Sequence, residues 1–279
     1  MKSGILLIDK DKGLTSRDVV NIISRKLNTR KVGHTGTLDP LATGLMIICV
    51  NKATGLVPLI TDEDKEYIAK VRLGIKTDTY DITGNILEES KDYKINKEML
   101  IKTLNSFVGE YNQEVPIYSA IKINGKKLYE YARSGQCVSL PRRRVNIKKI
   151  TLIEMGDDYF IFKTLVSKGT YIRSLINDIG NKMNILMTME ELRRIKVDKF
   201  SIDDALKVED VSLDKIIEPT DFLDYKKVIM DADLYKKVSN GVRLNNIYNE
   251  DYIMFYYNNE LVAIYKNNEK NQLCLFKLF

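Results

Sequence analysis

The 279-residue sequence predicts an α+β fold, a mixed and largely antiparallel sheet flanked by helices, from three features. Short apolar runs of strand character alternate irregularly with helical patterns, without the regular strand–helix repeat of a doubly wound parallel sheet. Strand candidates also fall close enough together to pair as antiparallel neighbours, notably around Asn124-Gly125, a dipeptide suited to a tight type I′ turn. Finally, the texture changes after Phe200, where an acidic stretch from Asp203 to Asp224 leads into a tail rich in Tyr, Ile, Val and Asn. At roughly 150 residues per domain, this divides the chain into a large domain over 1–220 and a small β-rich module over 221–279.

The elements follow in order. Gly4 to Asp9 is a short buried strand, and Thr15 or Ser16 caps a helix in which Val19, Val20, Ile22, Ile23 and Leu27 share one face. A polar, glycine-rich loop spans Lys31 to Gly44. Strands follow at Leu45 to Val50 and at Tyr67 to Leu73, the second alternating apolar and polar residues. Lys97 to Phe107 is a helix stopped by Gly109. Ile117 to Ile123 is the first arm of the Asn124-Gly125 hairpin, and Val145 to Glu154 and Tyr159 to Val166 are two further strands. After the small loop Ser167-Lys168-Gly169-Thr170 comes a helix from Ile172 to Met183, and the tail from Val228 supplies five or six short strands.

Composition excludes several functions. One histidine, His34, rules out a multi-histidine zinc site and leaves any catalytic triad a single candidate. Cys49, Cys137 and Cys274 are three in number and far apart, which argues against a disulfide framework or thiolate metal site and for a reducing cytoplasm. No run approaches the roughly 20 apolar residues of a membrane span. With 44 basic and 38 acidic residues the net charge is +6, and it is localised. Residues 121–150 hold nine Lys and Arg against Glu130 alone, a charge of +8, so the remainder of the chain is −2. Interleaved tyrosines make this segment either a surface for nucleic-acid phosphates and bases or a solvated basic face.

The loop Gly33-His34-Thr35-Gly36-Thr37-Leu38-Asp39-Pro40-Leu41-Ala42-Thr43-Gly44 is the richest in chemistry. Its three glycines permit tight turning, and Pro40 stiffens the chain after a carboxylate placed at the sheet edge. It lacks the phosphate-binding G-x-x-x-x-G-K-[ST] pattern. Taken alone, an Asp before Pro is ordinarily a turn former and a lone loop His ordinary polar surface.

That string resembles the signature loop of the bacterial TruB family of tRNA pseudouridine synthases, which isomerise a uridine in the tRNA T loop. Other stretches resemble the family in the same order: Gly4 to Lys10 with Gly13-Leu14-Thr15-Ser16, Asp64-Lys65-Glu66-Tyr67, Tyr118 to Lys122 with Gly125 to Arg133, Ser167 to Arg173, and Leu192-Arg193-Arg194. The resemblance covers about residues 4–200. It implies the pseudouridine synthase fold, with the tail as a PUA-like RNA-binding module. Two departures stand out: Asp11 replaces a usual Pro, and Ile195 and Asp198 replace a usual Thr and Gly.

The resemblance implies conversion of uridine-55 of tRNA to pseudouridine by base flipping, cleavage of the N1–C1′ bond, rotation of the base and rejoining through C5. The reaction involves neither redox change nor net hydrolysis, so no cofactor and no metal are expected. Asp39 is implied as the reactive carboxylate, acting as nucleophile or as stabiliser of the sugar cation. Arg173 is implied as the cation beside it, Tyr67 as the ring that stacks on uracil, and Tyr171 and Leu192 as pocket walls. His34 would brace the RNA next to the flipped base, and Lys122, Lys126, Lys127, Arg142, Arg143 and Arg144 would hold T-arm phosphates. A monomer without obligate protein partner or membrane association is expected. The rival readings are a tRNA-folding factor with vestigial catalysis and a guide-dependent pseudouridylase subunit.

Overall fold

The computed structural model describes residues 2–61 and 63–279. The chain runs β1 (Gly4–Lys10), α1 (Ser16–Lys26), β2 (Val32–His34), β3 (Thr43–Val50), α2 (Val57–Ile60), β4 (Lys65–Leu73), β5 (Ile75–Thr77), β6 (Ile86–Glu89), α3 (Lys97–Asn105) and β7 (Gly109–Glu114). There follow β8 (Lys122–Ile123), β9 (Lys126–Lys127), α4 (Leu128–Arg133), β10 (Arg142–Met155), β11 (Tyr159–Val166), α5 (Ile172–Met183), β12 (Met187–Val197), β13 (Phe200–Ser201) and α6 (Pro219–Phe222). The tail adds β14 (Lys226–Ile229), α7 (Ala232–Ser239), β15 (Leu244–Asn245), β16 (Tyr252–Tyr257), β17 (Glu260–Asn267) and β18 (Gln272–Leu278).

The main sheet has the order β1-β3-β12-β4-β11-β10-β7, with β2 on β3 and β13 on β12. Every pairing in it is antiparallel except β3 with β12, which meet in parallel at Thr43–Arg193 and Gly44–Arg194. β12 and β2 therefore share one edge of β3, β12 at its start and β2 at its end. The loop from Thr35 to Ala42 lies at this parting inside the sheet, and not at the outer sheet edge its sequence suggests.

Apolar patterning explains the layers. In β4 the residues Tyr67, Ala69, Val71 and Leu73 are buried while those between are not, as period-two alternation requires. They join one core with Val19, Val20 and Ile23 of α1, Leu100 and Leu104 of α3, and Leu175, Ile176 and Ile179 of α5, so the helices cover this face. β1 and β3 carry unbroken apolar runs because both of their faces are covered. Leu6, Ile8, Met46 and Ile48 point into the helical core, whereas Ile5, Leu7, Leu45 and Ile47 pack with Phe222, Leu223, Met254 and Ile264 of the tail.

Thr15 caps α1, its hydroxyl accepting from Asp18 N–H while Asp18 accepts from Thr15 N–H. Several boundaries depart from expectation. The Lys31–Gly44 segment is not all loop, because Val32–His34 pairs with β3. α3 ends at Asn105 and Gly109 opens β7, with a positive φ of 109° at the entry to the strand. Asn124 and Gly125 do turn a hairpin with φ of 51° and 81°, but its arms are two residues each and Ile117 to Ile121 is not strand. The tail forms the five-stranded sheet β14-β16-β17-β18-β15, together with the unforeseen helix α7.

Of the residues that depart from the resemblance, Asp11 and Asp198 are accommodated. Asp11 receives a 2.6 Å ion pair from Lys207. Asp198 adopts a left-handed backbone with φ of 50°, a conformation Asp tolerates better than most residues.

Candidate active site

The Asp39 loop is held by contacts spread along its length. Leu38 N–H donates to Ser16 Oγ at 2.9 Å, and that hydroxyl donates back to Leu38 C=O at 3.0 Å. Gly13 N–H donates to Pro40 C=O at 2.8 Å, and Arg194 Nη2 donates to Gly36 C=O at 3.2 Å. Leu38, Leu41 and Ala42 are buried as apolar anchors. Of the three glycines only Gly44 takes a left-handed backbone, with φ of 104°. A Cβ there would lie 2.2 Å from Arg194 O, so the parallel junction of β3 and β12 requires glycine.

Lys10, fully buried at the end of β1, sits beneath this loop and donates to the carbonyls of Leu14 at 2.7 Å, Asp11 at 3.0 Å and Pro40 at 3.4 Å. Burial lowers its amine to about 8, and the nearby carboxylates of Asp39 and Asp11 oppose that shift.

Asp39 faces Arg173 from across the cleft. Arg173 Nε lies 3.0 Å from Asp39 Oδ2, with the arginine side chain 5% exposed and the aspartate 38%. Arg173 Nη1 donates to Thr79 C=O at 3.0 Å and Nη2 to Tyr118 C=O at 3.1 Å. A second carboxylate, buried Asp81, places Oδ2 3.9 Å from the same Nε. Asp81 Oδ1 accepts from Thr79 Oγ1 and Thr83 N, each at 3.0 Å. Tyr80, between these partners, has φ of 61°, a genuine outlier for a bulky side chain. A strained turn, two carbonyls and two carboxylates thus fix the guanidinium in one orientation.

The cleft encloses ≈ 950 Å³ on the helical face of the sheet, and Asp39, Tyr67, Tyr171, Arg173 and Leu192 all line it. Tyr67 and Leu192 come from the adjacent strands β4 and β12, and Tyr171 and Arg173 from the start of α5. Tyr118 and Tyr129 lie at its rim. Tyr129 is flanked by cations, with Lys127 Nζ at 5.3 Å and the Arg133 guanidinium at 5.4 Å from the ring centroid.

The remaining sequence-selected residues fall into different places. Arg143 and Arg144 line the cleft, while Arg142, Lys122, Lys126 and Lys127 do not. Arg144 pairs with Glu110, Arg142 lies 3.7 Å from Glu114, and Lys148 pairs with Asp64, so acids from outside the basic segment temper its field. Lys126 Nζ donates to Gln136 at 2.7 Å. His34 ends β2 outside the lining, with a buried Nδ1 that has no hydrogen-bond partner among the described residues. Burial, with the charges of Arg17 and Arg194, holds its imidazole below the usual histidine range.

Comparison with known proteins identifies the family. Residues 24–172 match the family model described as TruB family pseudouridylate synthase, N-terminal domain. The chain belongs to the TruB family. Among its TruB relatives, the tRNA pseudouridine synthase B of Clostridium tetani is 43% identical over 88% of this chain and 86% of its own. That of Thermosipho melanesiensis is 43% identical over 88% and 79%. The fold is shared with a solved Cbf5-Nop10-Gar1 complex, at TM-score 0.70 and 23% identity over 98% of this chain and 83% of the other. Family membership makes the protein a pseudouridine synthase, an isomerase.

The sequence assigned no role to four contributors: Lys10 and Arg194, which stand within the motifs, and the Thr77–Gly84 turn with Asp81 and Gln113, which do not. The turn had a readable signal in its density of Thr and Asp, but such residues are turn formers wherever they occur. Arg194 is nearly fully buried, donating to Leu45 C=O at 2.7 Å as well as to Gly36, and its place in the Leu192-Arg193-Arg194 motif did not reveal that role.

Proposed function

We propose that the protein converts uridine-55 in the T loop of tRNA to pseudouridine, with Asp39 as the reactive carboxylate. The observation that carries this reading is the 3.0 Å pair of Asp39 with a buried arginine, both lining a cleft roomy enough for an extruded nucleotide. In the reaction the N1–C1′ bond breaks, the uracil turns, C5 bonds to C1′, and the C5 proton leaves as N1 gains one. A carboxylate so placed can bond to C1′, add to the base, or take a sugar proton to give a glycal. Tyr67 supplies a ring to the extruded base, Leu192 and Tyr171 wall the pocket, and Arg173 orients Asp39 without entering the bond changes.

RNA reaches the cleft over Arg143 and Arg144, with Lys122, Lys126, Lys127 and Arg142 as outlying contacts to T-arm phosphates. Tyr118 and Tyr129 offer stacking surfaces at the rim. His34, kept neutral by its surroundings, braces the RNA backbone or a neighbouring base. Residues 1–220 act as the catalytic domain and 221–279 as an RNA-binding module. The relatives named tRNA pseudouridine synthase B, one of them 43% identical, favour a tRNA substrate and a stand-alone enzyme over a guide-directed subunit. A cytoplasmic monomer is the corresponding physical state.

The test is to incubate unmodified tRNA with the purified protein and locate pseudouridine by carbodiimide-dependent primer extension. A single stop reporting position 55 is expected, and modification elsewhere or none would overturn the reading. Neutralising Arg142, Arg143 and Arg144 together should weaken tRNA binding and flatten its salt dependence by about two to three charges. Unchanged affinity would remove the basic strand from the interface.

A further inference from the structure

The start of α5 carries both Tyr171 and Arg173, yet no side chain of its own caps Tyr171 at the helix entry. The missing partner comes from β7. Tyr171 N–H donates to Gln113 Oε1 at 2.7 Å, and Gln113 Nε2 donates to Tyr171 C=O at 3.0 Å. A carboxamide is the side chain that offers an acceptor and a donor side by side, and only one orientation of it meets both backbone groups. Gln113 is 1% exposed, so an unmet bond here would not be replaced by water.

The amide is itself held. Gln113 Nε2 donates to Tyr111 Oη at 2.6 Å, from the residue two positions back on the same face of β7. The negative charge of Asp178 acts on the Tyr111 hydroxyl, whose pKa burial raises first, and Asp178 lies seven residues along α5 from Tyr171 and so returns to the same helix face. The circuit runs from the helix start, through the strand, and back to the second turn of the helix.

We propose that Gln113 is a positioning residue for the isomerisation: its carboxamide sets the backbone of Tyr171 and, through the first turn of α5, the guanidinium that faces Asp39, while Tyr111 and Asp178 fix the amide's orientation. The inference rests on the reading that Asp39 and Arg173 serve the chemistry. Burial raises the Asp178 carboxyl to about 6, helped by Glu114 and opposed by the Tyr111 hydroxyl and by Arg142. Tyr80 also faces this charge, and its hydroxyl is raised by burial first and then by Glu114 and Asp178. Protonating Asp178 removes the anion that orients the Tyr111 hydroxyl away from Gln113, so turnover should fall on the acid side of about pH 6.

The experiment measures C5-tritium release from a T-arm hairpin between pH 5 and 8.5, with hydrogen–deuterium exchange over residues 170–175, in wild type, Gln113→Leu, Gln113→Glu and Asp178→Asn. Gln113→Leu should lower kcat by about 10²-fold with KM nearly unchanged, and should speed exchange at the Tyr171 amide. Asp178→Asn should lose the acid limb. Gln113→Glu should invert the profile, gaining activity on acidification, because a protonated carboxyl presents the same donor and acceptor as the amide. Wild-type kcat and exchange in Gln113→Leu, or a wild-type pH profile in Gln113→Glu, would overturn the inference. Should Gln113→Leu not fold, the Gln113→Glu profile decides. An inactive wild type would instead overturn the T-loop reading, and Tyr171 exchange in the Gln113 variants would still decide the positioning role.

Discussion

Removing the guanidinium of Arg173 separates what holds the site together from what it does. In Arg173→Met, Asp81 keeps its bonds to Thr79 and Thr83 but loses its one ion-pair partner among the described residues, and the carbonyls of Thr79 and Tyr118 lose their donors. Breaking a buried charge pair from one side typically costs about 3–5 kcal/mol, and Asp81 is buried enough for that range to apply. The 38% exposed Asp39 should contribute little, since a solvated pair is worth at most about 1 kcal/mol. Urea unfolding followed by circular dichroism should therefore show Arg173→Met destabilised by about 3–5 kcal/mol and Asp39→Asn within about 1 kcal/mol of wild type. Adding Asp81→Asn to Arg173→Met removes the orphaned charge and should recover at least about 1 kcal/mol. Strict additivity of the two substitutions, within about 0.5 kcal/mol, would refute the claim that Asp81 and Arg173 act as one unit.

Other outcomes follow from the same geometry. Lys10→Met strands three carbonyls beneath the Asp39 loop and should cost about 2–4 kcal/mol in urea unfolding while lowering turnover. Gly44→Ala forces a Cβ against Arg194 O on a left-handed backbone and should cost roughly 2–4 kcal/mol, read the same way; a neutral result would contradict the close approach of β3 to β12. His34 has a folded pKa below its ordinary 6.5, so its share of stability is intact above that pH and is lost as pH falls toward the folded value. Asp178 acts in the opposite sense, since a carboxyl raised from 3.8 to about 6 makes the folded state bind its proton first and gain stability across that interval. Urea midpoints at pH 7.5 and 5.5 should thus fall less in His34→Gln than in wild type, and more in Asp178→Asn.

The elements readable from sequence were those with a long apolar period. β1, β3, β4, β11 and α5 each present an unbroken or strictly alternating face, and the tertiary structure only had to cover it. The unbroken runs of β1 and β3 even encoded the second layer, since they need the tail on their far face. Short elements carried no such signal: β2 is three residues within a polar stretch, and the β8–β9 arms are two each. α7 was hidden because Asp231, its N-cap, and the helix that follows lie in a segment whose Tyr and Val content favours strand. At the site, Asp39, Tyr67, Tyr171, Arg173 and Leu192 were identifiable because they stand within motifs, and all five line one cleft. Asp81 and Gln113 were not, because their roles arise from contacts made 92 and 58 positions away in the chain. His34 was prominent for being unique, yet it is not among the residues that line the cleft.

Purified wild-type protein and Asp39→Asn, matched for unfolding midpoint, are each given a T-arm hairpin carrying C5-tritiated uridine. Wild type should release tritium with turnover, while Asp39→Asn should release none yet bind the hairpin with comparable affinity. Release by Asp39→Asn at a rate near wild type would contradict the central claim.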